Sequence, residues 1–300
     1  MTDITLSRRT ALFAAAATAA TPPAVAAETA APRLLRAYAE AGPGQIHYRV
    51  VRPARAAALP LLCLHASPLS GVVYDTWLLE MGKDRLALAP DTPGYGGSDA
   101  PPAPPEIGDY ASAFVQFLDA LKLKTVDVMG YHTGSMTAVE MARRAPGRIR
   151  KVVMISAPLF TAAELAQYRK TQLGPAPTYS QMLARTLDQW LTQGRGMFRD
   201  VPTDDRYIDI SLERMRRFRT GQWGFRAAFN YDLAGVLREV AQPILVLNPE
   251  DDLWEQTPRA KALMRNGRIH DLPGWTHGHL DAHTAEMAAI VRDFLDKNTG

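Results

Sequence analysis

Five short apolar runs constrain this chain more than any other feature: Leu59 to His65, Leu86 to Pro90, Val126 to Met129, Val152 to Ile155 and Ile244 to Leu247. Each is too short for a buried helix and lacks the polar alternation of a half-exposed strand. Short, β-rich and apolar on both faces is the pattern of parallel strands covered by helices. Between them, Tyr110 to Leu121, Met136 to Arg144 and Glu286 to Phe294 carry apolar residues at three- and four-residue spacing, which predicts helices. Leu34 to Glu40 and Gln45 to Val51, around Gly42-Pro43-Gly44, predict an initial β-hairpin. The alternation implies an α/β fold whose ligands sit beyond the carboxyl ends of the strands.

A hydrophobic content of 47 % across 300 residues excludes a disordered chain, and 34 basic against 31 acidic residues give no reason to expect nucleic acid or an anionic membrane as partner. Cys63, the single cysteine, excludes an internal disulfide and a zinc-finger spacing.

Residues 1–26 read as an export signal. Ser7-Arg8-Arg9 precedes a run from Ala11 to Ala20 made only of Ala, Leu, Phe and Thr, and Ala24-Val25-Ala26 is an Ala-x-Ala cleavage site. The run is shorter than the roughly 20 apolar residues that span a bilayer. The paired arginines resemble a bacterial twin-arginine signal, so a periplasmic or secreted protein, free of the membrane after cleavage, is expected.

From about Phe160 to Leu237 no buried-strand run occurs, and aromatic residues such as Tyr168, Trp190, Phe218, Trp223, Phe225 and Phe229 are frequent. This predicts a helical cap over residues 159–237, inserted between core segments 27–158 and 238–300 and closing a mostly apolar pocket. The basic cluster Arg214, Arg216, Arg217 and Arg219 reads as a solvated face.

Three motifs then fall at strand ends. His65-Ala66-Ser67-Pro68 follows one strand and Asp91-Thr92-Pro93-Gly94-Tyr95-Gly96-Gly97-Ser98-Asp99 the next. Gly130-Tyr131-His132-Thr133-Gly134 joins a strand to a helix. In this order they resemble the α/β-hydrolase superfamily over residues 33–300, in particular its capped branch of epoxide hydrolases, haloalkane dehalogenases, carbon–carbon bond hydrolases and proline iminopeptidases. The resemblance implies an α/β-hydrolase fold with a mostly parallel sheet. It also implies an oxyanion hole from the backbone N–H groups of Ser67 and Thr133, with the His65 ring bracing the turn.

His132 stands where the resemblance places a nucleophile, usually serine. Ser135 lies about one helical turn on and faces away from the sharp turn. After the strand ending at Leu247, Asn248-Pro249-Glu250-Asp251-Asp252 makes Asp252 the acid by resemblance, with Asp251 second and Glu250 third. Trp275-Thr276-His277-Gly278-His279 makes His277 the base, with His279 as the alternative.

Three chemistries fit a His–Asp–His arrangement. In the first, His132 attacks an acyl group or activates water, with Asp252 and His277 relaying the proton; the helix start after it disfavours imidazolium and would keep it neutral. In the second, His132, His277 and a carboxylate bind a divalent metal, which the tail His277, His279, Asp281, His283 superficially favours. In the third, the pocket binds a ligand or partner without turnover. The expected function is hydrolysis of a small, partly apolar ester, thioester or similar acyl bond, without metal or other cofactor. Epoxide and haloalkane opening fit less well, because those relatives need a carboxylate where His132 stands.

Overall fold

The computed structural model describes residues 31–297 except 176, 194–195 and 217–218, with the side chains of 189–193 also left aside. The expected signal segment therefore lies outside the described residues, as do Arg217, Phe218 and the Trp190 side chain.

Gly42, at φ 65°, and Pro43 reverse the chain between β1 (Leu34–Ala41) and β2 (Gly44–Val51), which pair antiparallel over their full length. Strand–helix alternation follows: β3 (Leu61–Leu64), α1 (Asp75–Met81), β4 (Ala87–Pro90), α2 (Ile107–Ala120), β5 (Val126–Tyr131), α3 (Thr133–Arg144) and β6 (Ile149–Ile155). Among the described residues five α-helices come next, α4 (Ala162–Gln172), α5 (Tyr179–Gln193), α6 (Asp204–Arg216), α7 (Trp223–Asn230) and α8 (Leu233–Glu239). The chain then returns to the sheet with β7 (Ile244–Pro249) and β8 (Gly267–Leu272), and finishes in α9 (His279–Ala282) and α10 (Thr284–Asp296). The eight strands lie in the order β1-β2-β4-β3-β5-β6-β7-β8, parallel from β4 to β8. This is the α/β architecture that the five apolar runs imply.

Alternate residues of one strand feed opposite layers. Val152 and Met154 pack on one face of the sheet with Val128, Val246 and α2 residues Phe114 and Phe117, whereas Val153 and Ile155 face Leu245, Leu247, Trp77 and Val291. A strand buried on both faces needs no polar alternation, which is why these segments read as unbroken apolar runs.

No strand occurs among the described residues between β6 and β7, in keeping with a helical insertion there. Its last helix differs from the expected boundary at 237. α8 runs on to Glu239, and Val236 and Leu237 are buried in the same core cluster as α3 residues Val139 and Ala142, so α8 flanks the sheet.

Candidate active site

The turn between β5 and α3 places the central residue. His132 adopts φ 50° and ψ −109°, a conformation that costs a non-glycine residue roughly 1–3 kcal/mol. The flanking glycines make the turn sterically feasible: a Cβ on Gly130 would run into the Gly134 carbonyl, and one on Gly134 into the Leu64 carbonyl. His132 is thus lifted to the carboxyl end of the sheet. Ser135 faces the other way, donating from Oγ to the carbonyls of Gly130 (2.9 Å) and Ile155 (2.9 Å) from a fully buried position. It is a structural residue.

Two histidine–aspartate pairs meet at this point. His132 Nε2 is 2.8 Å from Asp251 Oδ2 and 3.9 Å from Asp252 Oδ1. His277 Nε2 is 2.8 Å from the same Asp252 oxygen, so Asp252 and His277 stand together as the resemblance implies. Asp251, the second choice from sequence, instead holds His132. Its carboxylate also accepts from Ser156 Oγ (2.7 Å) and the Leu253 N–H (2.8 Å). Glu250 accepts from the Gly274 N–H (2.8 Å) and is no part of the cluster.

These contacts correct the expectation of a readily neutral His132. Burial pushes its pKa down, but the Asp251 and Asp252 carboxylates overturn that and hold it above the ordinary value. Two adjacent full charges outweigh the half charge of a helix end. Asp251 is also buried, which alone would raise it; His132, His277 and Ser156 hold it well below the usual carboxylate range. Asp252 moves the same way, its burial overcome by His277 and His132.

The pairs are braced from behind. The Tyr131 hydroxyl is hydrogen-bonded to His277 Nδ1, and burial raises that phenol well above its ordinary pKa, so it stays protonated. His279 is fully buried, with Nδ1 2.5 Å from the Thr276 carbonyl and its ring edge-on to Tyr131. Burial pushes its pKa down to about 4, and it packs behind the site rather than acting as the base. The histidine-rich tail disperses: Asp281 binds Arg206 (3.0 Å) and His283 stacks on Trp275 (centroids 4.2 Å apart).

The oxyanion hole requires a correction. The Ser67 N–H is not open to a ligand but donates to Thr133 Oγ1 at 2.7 Å. A hydroxyl at the first position of α3 is within reach of the facing turn and fills one of the two donor positions. The Thr133 N–H, as the first of the helix, has no intrahelical acceptor and remains the second donor. His65 braces the turn, its Nδ1 donating to the Ala66 carbonyl (2.9 Å) and its Nε2 accepting from the Thr92 N–H (2.8 Å). The Asp91 to Asp99 motif is structural too. Asp91 accepts from the N–H groups of Gly71 (2.7 Å) and Gly97 (2.8 Å) and from His47 Nδ1 (2.7 Å).

A small recess of ≈ 70 Å³ opens above His132, Thr133, Ser67 and Asp252. Its far wall is apolar, formed by Phe160, Tyr168 of α4 and Phe225 and Phe229 of α7. These rings pack on one another, Phe160 against Tyr168 at 4.7 Å and Phe225 against Phe229 at 6.2 Å. α7 sits directly on the oxyanion turn, because Gly224 leaves no room for a Cβ beside Ser67 Oγ, and its N–H donates to the Tyr95 hydroxyl at 2.7 Å. Tyr131, Ser156 and the Thr133 side chain were not predicted from sequence. Tyr131 and Thr133 flank His132 in the motif, and Ser156 directly follows the apolar run that became β6, the only signals available.

Comparison with known proteins supplies the family. Residues 61–290 match the profile described as "Alpha/beta hydrolase family". The chain is 31 % identical over 255 residues to a 2-hydroxymuconate semialdehyde hydrolase of Pseudomonas sp. (strain CF600), covering 80 % of this chain and 87 % of that protein. It is 26 % identical over 249 residues to a non-heme chloroperoxidase of Streptomyces lividans, covering 75 % and 87 %. Among solved structures, the enol-lactonase from Burkholderia xenovorans LB400 superposes with a TM-score of 0.72 at 19 % identity, covering 87 % of this chain and all (100 %) of that one.

Proposed function

The chain belongs to the α/β-hydrolase family and is a hydrolase; from that premise we propose that it hydrolyses a small, partly apolar ester, thioester or similar acyl bond at the two His–Asp pairs. The observation that carries this reading is their convergence, His132 on Asp251 and His277 on Asp252, beneath the aromatic recess.

Water is the attacking species. His132 Nε2 is hydrogen-bonded to Asp251, so the residue at the elbow is not the group that attacks the carbonyl carbon. Asp252 lines the recess with half of its side chain exposed and is backed by His277, so a water held there delivers its proton to that pair as its oxygen bonds to the acyl carbon. The same pair returns the proton to the leaving oxygen or sulfur. His132 and the Thr133 N–H face the carbonyl oxygen as its negative charge develops. The aromatic wall, rather than any charged side chain, selects the substrate, which fits an apolar acyl or leaving group.

The test is a panel of small acyl esters, lactones and thioesters offered to the purified chain and to His132→Ala and His277→Ala. Turnover on at least one class, lost in both variants while each remains folded, supports the reading. Turnover that survives in His132→Ala refutes it. Binding of panel members without any turnover would return the site to a ligand-holding role.

We further propose export through the twin-arginine pathway with cleavage after Ala26. Replacing Arg8 and Arg9 together by lysine abolishes periplasmic accumulation of a tagged chain; unchanged accumulation, sensitive only to inhibition of the general secretory route, contradicts it.

A further inference from the structure

We propose that the two His–Asp pairs form a binding site for one divalent transition cation of the zinc type, with His132 Nε2, His277 Nε2, Asp251 and Asp252 as ligands. This rests on the reading of the cluster as the reacting centre; an ion held by all four donors leaves no open position for water and occupies the proton-accepting pair, so it closes the site rather than carrying the attacking water.

The first argument is distance. One donor atom from each of the four residues lies within 4.8 Å of every other, and the nearest pairs are 2.8 Å apart. Ligands of a tetrahedral zinc ion, each about 2.0–2.2 Å from the metal, stand roughly 3.3–3.6 Å from one another. The observed spread brackets that value.

The second argument is an unpartnered nitrogen. His277 is nine-tenths buried, with 9 % of its side chain exposed, and its Nε2 has no hydrogen-bond partner. Asp252 Oδ1 is close but off the line of a hydrogen bond. The nitrogen's one close neighbour is thus another member of the same cluster. Here it points into a cluster whose other members are two carboxylates and a second imidazole, the donor set that zinc-like ions prefer and calcium or magnesium do not.

The third argument is support from behind. Metal-bound histidines usually donate their other ring N–H to a fixed partner, and ligating carboxylates are themselves hydrogen-bonded. His277 Nδ1 meets the buried Tyr131 hydroxyl, and Asp251 is held by Ser156 Oγ and the Leu253 N–H. Two carboxylates facing one another also balance the charge of a dication. The sequence shows no metal motif because the donors come from three separate turns, after β5, β7 and β8.

Calorimetric titration of chelator-treated, dialysed chain with zinc chloride tests the site, with the visible spectrum of added cobalt(II) as a second readout. One ion per chain is expected. His132→Ala and His277→Ala each weaken binding at least about 100-fold, and Tyr131→Phe, which keeps the buried ring and removes only the supporting hydroxyl, weakens it about tenfold. His270→Ala, on the exposed β8, leaves it unchanged. No stoichiometric binding, or binding indifferent to the His132, His277 and Tyr131 substitutions, overturns the proposal. The two readings fail separately: hydrolysis by a chain that binds no ion removes the cation and keeps the hydrolase, whereas an ion that binds a chain inactive even after chelation does the reverse.

Discussion

Replacing His132 by glycine and by alanine separates the two energies stored at the elbow. Both variants remove the imidazole and leave Asp251, whose side chain has 0 % exposure, without its closest charged partner. Breaking a buried pair from one side costs about 3–5 kcal/mol, reduced here because Ser156 and the Leu253 N–H still hold the carboxylate. Alanine keeps the strain of φ 50° and ψ −109°, whereas glycine does not. Relief of about 1–3 kcal/mol, less the roughly 0.5–1 kcal/mol that glycine loses through its freer unfolded chain, makes His132→Gly more stable than His132→Ala by about 0–2.5 kcal/mol. Urea unfolding of both variants reads the difference as a shift in midpoint at constant slope. Glycine less stable than alanine would refute a strained turn at residue 132. A loss below about 1 kcal/mol in His132→Ala would refute a buried charge pair with Asp251.

Restoring the usual nucleophile with His132→Ser gives a weak esterase, because Thr133 Oγ1 occupies the Ser67 N–H; adding Thr133→Ala raises p-nitrophenyl acetate turnover at least about tenfold, out of the roughly 10²–10³ that one oxyanion donor is worth. No gain in the double variant would show that the hydroxyl does not block the hole. Stability should fall in acid in two stages. Burial holds His65 below its ordinary pKa, and protonating its Nε2 would set two donors, that nitrogen and the Thr92 N–H, against each other; stability therefore declines as pH drops below 6.5. Asp91 is buried, which raises its pKa, but His47, His65, Arg49 and the Gly97 N–H overcome this and hold it low, so a second loss sets in below 3.8. Urea midpoints measured from pH 8 to pH 3 check both; His65→Gln should shrink the first stage, to which buried His279 also contributes, and reduce the second through the lost support of Asp91. Phe229→Ala removes part of the recess wall and raises KM for a butyryl or longer acyl ester about tenfold with little change for acetyl; equal effects on both chain lengths would place the acyl group elsewhere.

The sheet was legible where burial is symmetrical. Val152 to Ile155 reads as a strand because both of its faces are covered, whereas β8, largely exposed at the sheet edge, shows no apolar run and went unread. The seven-residue α1, whose Trp77, Leu78 and Met81 are buried between polar neighbours, is too short to display a periodicity. At the site, the glycines around residue 132 fixed the elbow from sequence alone, since their spacing is a steric demand of the turn. Asp252 as the partner of His277 follows from the resemblance, but Asp251 as the partner of His132 was not legible. Asp251 and Asp252 are adjacent in sequence, and only the three-dimensional path of the turn after β7 sends one to His132 and the other to His277. Thr133 carries the same lesson: its backbone was assigned a role from the motif, but its hydroxyl, which decides whether Ser67 is free, is a matter of side-chain reach.

The central claim is that His132 and His277 act as parts of one reacting centre. A double-mutant cycle on kcat/KM, comparing the unsubstituted chain, His132→Ala, His277→Ala and the double variant on the best substrate of the panel, tests it most directly. Groups that work as a unit are strongly non-additive, so the account predicts a double variant no slower than the slower single one. Losses that multiply, or a His132→Ala variant that keeps its full rate, would contradict it.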